Sequence, residues 1–105
     1  MNTYILSYNP LEMKISHGQL AIFIKDSKKI FQHYPPFRGT YVIKSFETLQ
    51  SLAESFREVF EGAPFIVTMA YPTAMGGAQP EMVWSWVNGH GFGNENQSTL
   101  PALNR

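Results

Sequence analysis

The stretch TYILSYNP, residues 3 to 10, reads as a β-strand that stops at an Asn-Pro corner, and its end is where side-chain type decides the chemistry. A carboxylate closing a first strand can hold a divalent cation and support hydrolysis, whereas the carboxamide of Asn9 has no charge with which to bind a hard metal ion. Asn9 before Pro10 instead suits a turn, because Asn bonds its own backbone and proline sets the φ that follows.

Other reactive constellations are sparse. His17, His33 and His90 fall on a helix start, a strand and the polar tail, while zinc needs three or four converging ligands. Structural roles are therefore expected for His17 and His33. The chain has no cysteine, so it carries no disulfide framework, thiolate ligand or thiol nucleophile. No H-E-x-x-H spacing occurs, and the Gly-rich AMGGAQP lacks the Lys and Ser/Thr of a phosphate-binding loop. No serine sits in a recognisable nucleophile elbow. The residues point to no catalytic set, no metal site and no cofactor.

Binding chemistry is better represented. Lys25, Lys28, Lys29, Arg38 and Lys44 interleave with Phe31, Tyr34, Phe37 and Tyr41, the mixture by which an open sheet grips single-stranded nucleic acid through charge and stacking. Eight Lys/Arg balance eight Asp/Glu, however, so no global field draws in a phosphate backbone, and only weak nucleic-acid binding is expected. Trp84 and Trp86, with Met82, are residue types that anchor interfaces. As a strand, residues 82 to 87 can add to a sheet edge of the same chain or a partner; as a short helix they form a lid over the core.

These residues must be positioned by alternating strands and helices. Tyr4, Leu6 and Tyr8 alternate with Ile5, Ser7 and Asn9, the period of two that predicts a first strand over 3 to 9. Ser16 and Gln19 have capping-box spacing, and Leu20, Phe23, Ile24 and Ser27 follow at helical spacing, predicting a helix from 17 to 29. The apolar runs on both sides of PPFRG predict a hairpin of strands 30 to 34 and 40 to 45, with the prolines in the connection or at an edge. A second helix carries Leu49, Leu52, Ala53, Phe56, Val59 and Phe60 on one stripe and stops at Gly62 in a left-handed cap. PFIVTMAY is apolar almost throughout and predicts a well-buried last strand.

The resulting order, β-α-β-β-α-β, is that of the ferredoxin-like α+β fold, a four-stranded antiparallel sheet with both helices on one face. A chain of 105 residues supports one such domain over 1 to 88, and the Gly-, Asn- and Ser-rich residues 89 to 105 read as a flexible polar tail. With 44% hydrophobic and 15% charged residues the chain should fold alone. No run of about 18 apolar residues spans a bilayer and no signal peptide opens the chain, which makes a cytoplasmic location the expectation.

YILSYN before a helix, then GTYVIKSFETLQSLAESFREVFEGAPFIV, then MVWSWVN, resembles the SinR-like family of small bacterial and mobile-element proteins. These are relatives of the CRISPR-associated small adaptation subunit and of virulence-associated protein D. The resemblance covers residues 3 to 88 and implies a ferredoxin-like fold and a homodimer built through the sheets and the segments after the fourth strand. In its catalytic relatives an Asp ending strand one is proposed to bind a metal for phosphodiester cleavage, and the matching position here is Asn9. The combined expectation is a non-catalytic interaction protein of a mobile-element, phage or defence setting, acting as a homodimer on an unidentified protein partner. Its candidate binding residues are Arg38, Lys44, Tyr34, Phe37, Trp84 and Trp86. The alternatives are a metal-dependent endoribonuclease drawing ligands from Glu12, Glu47 or Asp26, and a non-catalytic nucleic-acid binder.

Overall fold

The computed structural model describes residues 1–72, 75–77, 83, 86 and 87. The elements run β1 (Asn2–Tyr8), a 3-10 turn (Pro10–Glu12), α1 (His17–Asp26), β2 (Gln32–Phe37), β3 (Thr40–Ser45), α2 (Leu49–Phe60) and β4 (Phe65–Ala70). The four strands form one antiparallel sheet in the order β2-β3-β1-β4, the ferredoxin-like arrangement that the element order predicts. Trp84, His90 and residues 89 to 105 lie outside the described residues.

Both helices begin where their side chains can satisfy orphan amides. Ser16 and Gln19 form the reciprocal capping box of α1, and the Thr48 hydroxyl accepts from the Ser51 amide at the start of α2. Leu20 and Ile24 from α1 and Leu52, Phe56 and Phe60 from α2 then pack on Tyr4, Leu6, Tyr41 and Ile43 of the central strands. Burying each such side chain contributes about 1.5–3 kcal/mol, which makes this layer the main source of stability.

Three expectations are corrected. β2 does not stop before the prolines but runs through Pro35 and Pro36, with a register shift between Tyr34 and Phe37. It can do so because β2 is an edge strand, where a residue without an N–H leaves no inner ladder broken. The left-handed turn after α2 starts on Glu61, at φ 51°, one residue before Gly62. β4 is not well buried. It occupies the other sheet edge, none of its six residues is fully buried, and Ile66 is 63% exposed. Its unbroken apolar run carries no information about how many neighbours the strand has.

A second, smaller core lies on the opposite face of the sheet. Val83, Trp86 and Val87 have helical backbone and pack on Tyr34 and Val42, with Ile5 and Met75 beside them. Within residues 82 to 87 the described positions are therefore helical, and they cover their own chain's sheet.

The β2–β3 turn depends on Gly39. Its φ is +88°, and an added Cβ would stand 2.8 Å from the Tyr8 carbonyl oxygen, in the place where Tyr8 N–H donates to Gly39 O at 2.9 Å. Gly39→Ala is expected to cost about 1–3 kcal/mol from backbone strain alone. A urea midpoint unchanged from that of the parent protein would contradict this account.

Candidate functional site

The structure divides the sequence-derived binding residues between two places. Phe37 and Arg38 sit exposed at the tip of the β2–β3 hairpin. There the Arg38 guanidinium donates through Nη2 to Nε2 of His17 across 2.8 Å, bringing the hairpin tip to the first residue of α1. Tyr8 lies beside His17, its ring centroid 6.4 Å away, and burial raises the Tyr8 hydroxyl above its ordinary range against the lowering effects of the Gly39 backbone and Arg38.

Tyr34, Lys44 and Trp86 belong to the second face and are buried there, as β-strand alternation requires once Gln32 faces Lys44 and Tyr34 faces Val42. Trp86 is 1% exposed. Its Nε1–H donates to the Gln32 side-chain oxygen at 3.0 Å, and its ring meets Tyr34 edge-on with centroids 6.2 Å apart. Lys44 is 4% exposed; its ammonium donates to the Trp86 carbonyl oxygen and lies 4.7 Å from the indole centroid. Burial lowers the Lys44 pKa from its ordinary value, so the backbone carbonyl and the π face substitute for lost water. These three residues hold the C-terminal segment on the sheet, and their side chains are committed within their own chain.

Asn9 caps the 3-10 turn, its side-chain oxygen accepting from the Leu11 amide at 2.9 Å. That is the turn role its sequence context predicts. Among the described residues, no three His, Asp or Glu side chains gather as a metal site would require. Glu47, one of the carboxylates weighed as a metal ligand, accepts a hydrogen bond from the Ser51 hydroxyl at 2.8 Å.

Two exposed surfaces among the described residues bear on binding. The first is the β4 edge, where Ile66, Met69 and Tyr71 stand in solvent and where Met1, Met69 and Tyr71 share a cleft of about 260 Å³. The second is a basic and aromatic cleft at the β2 side of the sheet, containing Lys25, Lys28, Lys29 and Phe31 from the sequence-derived set, with His33, for which a structural role is expected, on its lining. It adds Phe46, which sequence reasoning missed. The available signal was an aromatic residue in a connection, between the end of β3 and the Thr48 cap, where no core-facing period claims it.

Comparison with protein-family models, curated proteins and solved structures returns no match. The site must be interpreted from its own geometry. No helix among the described residues is long and apolar enough to cross a membrane.

Proposed function

We propose that the protein is a non-catalytic interaction module that acts as a homodimer in the cytoplasm, in the mobile-element, phage or defence setting implied by its resemblance to SinR-like proteins. The β4 edge carries this reading. An edge strand presents a row of backbone N–H and C=O groups open to pairing, and soluble proteins blunt such edges with charge, proline or a covering segment. β4 has no charge or proline between Phe65 and Ala70 and no covering strand among the described residues, and instead exposes Ile66 and Met69. A second copy related by a two-fold axis places the same strand against itself antiparallel, which pairs both edges at once. The partner-binding surface then consists of the hairpin tip at Phe37 and Arg38, which the β4 pairing leaves free at the opposite edge of the sheet.

Light scattering is expected to give a mass twice that of the 11.9 kDa chain. Ile66→Lys combined with Met69→Lys should give a folded monomer, because two ammonium groups at the seam must be desolvated for the pair to form. A monomer mass for the parent protein at its highest soluble concentration would refute the dimer.

A further inference from the structure

The cleft beside β2 is assembled by a buried hydroxyl. Ser45, fully buried, donates its Oγ–H to the Lys29 carbonyl and accepts from the Glu47 amide at 2.9 Å. The turn carrying Lys28 and Lys29 is thereby tied to the β3–α2 connection carrying Phe46. Phe31 is fixed in turn by its amide, which donates to the Lys44 carbonyl at 2.8 Å. The result is a cavity of about 410 Å³ into which three lysines and two phenylalanines project, with His33 at its base. This size falls in the range of small-molecule sites, about 300–1,000 Å³.

Its chemistry is strongly one-sided. Lys25, Lys28 and Lys29 make no ion pair among the described residues. The one carboxylate on the lining, Glu47, accepts from Ser51. Three cations thus converge on a protein whose formal net charge is zero. Phe46 is 71% exposed and meets Phe31 edge-on, with centroids 5.6 Å apart. An exposed ring contributes little to folding, and its open face next to unpaired ammonium groups is the arrangement that stacks a planar base while lysines hold its phosphate. His33 is 6% exposed, and burial together with Lys25 keeps its imidazole neutral near pH 7, so the base of the cleft adds no further cation.

We propose that this cleft binds a nucleoside monophosphate unit, the phosphate on Lys25, Lys28 and Lys29 and the base against Phe31 and Phe46. The unit is a free nucleotide or one residue of a single strand. The site is separate from the β4 seam, because β2 and β4 are the two opposite edges of the sheet, so its occupancy does not depend on dimerisation.

The test is an amide chemical-shift titration of the full chain with four probes: 5′-AMP, a single-stranded oligoadenylate, inorganic phosphate, and anionic phosphatidylserine vesicles. Shifts confined to residues 25–33 and 46 are expected with AMP or the oligonucleotide, with phosphate alone about tenfold weaker, the factor that ~1.4 kcal/mol of base stacking gives. Saturation by AMP at concentrations equal to those of the oligonucleotide identifies a free nucleotide; tighter, salt-sensitive binding of the oligonucleotide identifies a strand. Phe46→Ala should abolish the preference over phosphate, and Lys28→Ala with Lys29→Ala should weaken every anionic probe. Since all three side chains are exposed, these variants keep the fold, which far-UV circular dichroism checks. Absence of shifts with AMP and oligonucleotide, equal binding of phosphate, or binding to vesicles alone would overturn the proposal.

Discussion

Trp86→Ala is expected to remove about 3–5 kcal/mol of stability, the cost of truncating a fully buried tryptophan. Domains of this kind are stable by only about 5–15 kcal/mol. The thermal midpoint should fall on the order of 15–30 °C. The effect has three sources, all on the second face. The cluster of Val83, Val87, Tyr34 and Val42 loses its largest member, the Gln32 amide loses an indole donor at 3.0 Å, and the Lys44 ammonium loses the ring it stands over. The lost burial of the indole is the largest part, because the cavity it leaves closes only partly. Urea denaturation followed by far-UV circular dichroism measures the change. Phe37→Ala, at an exposed position, should move the midpoint little and serves as the control. A loss below about 1 kcal/mol for Trp86→Ala would show that the second face does not rely on this side chain.

Acid should destabilise the protein through His33. Burial, reinforced by the charge of Lys25, lowers its pKa from 6.5 to about 4. The unfolded chain therefore takes up the proton first as pH falls. Stability from this group is full above pH 6.5, declines as pH drops from 6.5 to about 4, and is constant below that. At about 1.36 kcal/mol per pH unit the total is about 3 kcal/mol. The imidazole packs against Tyr41, with centroids 6.0 Å apart, and is only 6% exposed at the base of the cleft, so burial disfavours its charged form. Unfolding free energies measured by urea at several pH values between 7 and 4 should show this slope in the parent protein. In His33→Phe, which keeps an apolar ring at the position, the slope should shrink by the His33 contribution. Parallel pH profiles for the two proteins would reject the assignment.

The elements were legible because each is written locally. The Ser16 and Gln19 capping box, the stripe from Leu49 to Phe60 and the alternation of Tyr4, Leu6 and Tyr8 each require only a few neighbouring residues, and the structure contains all three as expected. The order of those elements carried the fold, since antiparallel strands with two crossover helices leave few topologies open. Asn9 was legible for the same reason: its amide bond partner is Leu11, two residues away.

Burial and proximity were not legible locally. The sequence placed Lys44 and Tyr34 with Arg38 and Phe37 in one basic and aromatic patch, yet strand alternation sends Lys44 and Tyr34 to the face that Trp86 covers. The apolar run of β4 predicts a well-buried strand, but sheet order put it at the edge, and an edge is a relation to other strands that no run of side chains records. The cleft of Lys25, Lys28, Lys29, Phe31 and Phe46 joins residues up to 21 positions apart through the hydroxyl of Ser45. The sequence by itself determined the type and order of the four strands and two α-helices from β1 to β4, though not whether residues 82 to 87 are strand or helix. Only the tertiary structure decided which side chains meet water, because that depends on the pairing of strands distant in the chain and on the docking of Trp86 across the sheet.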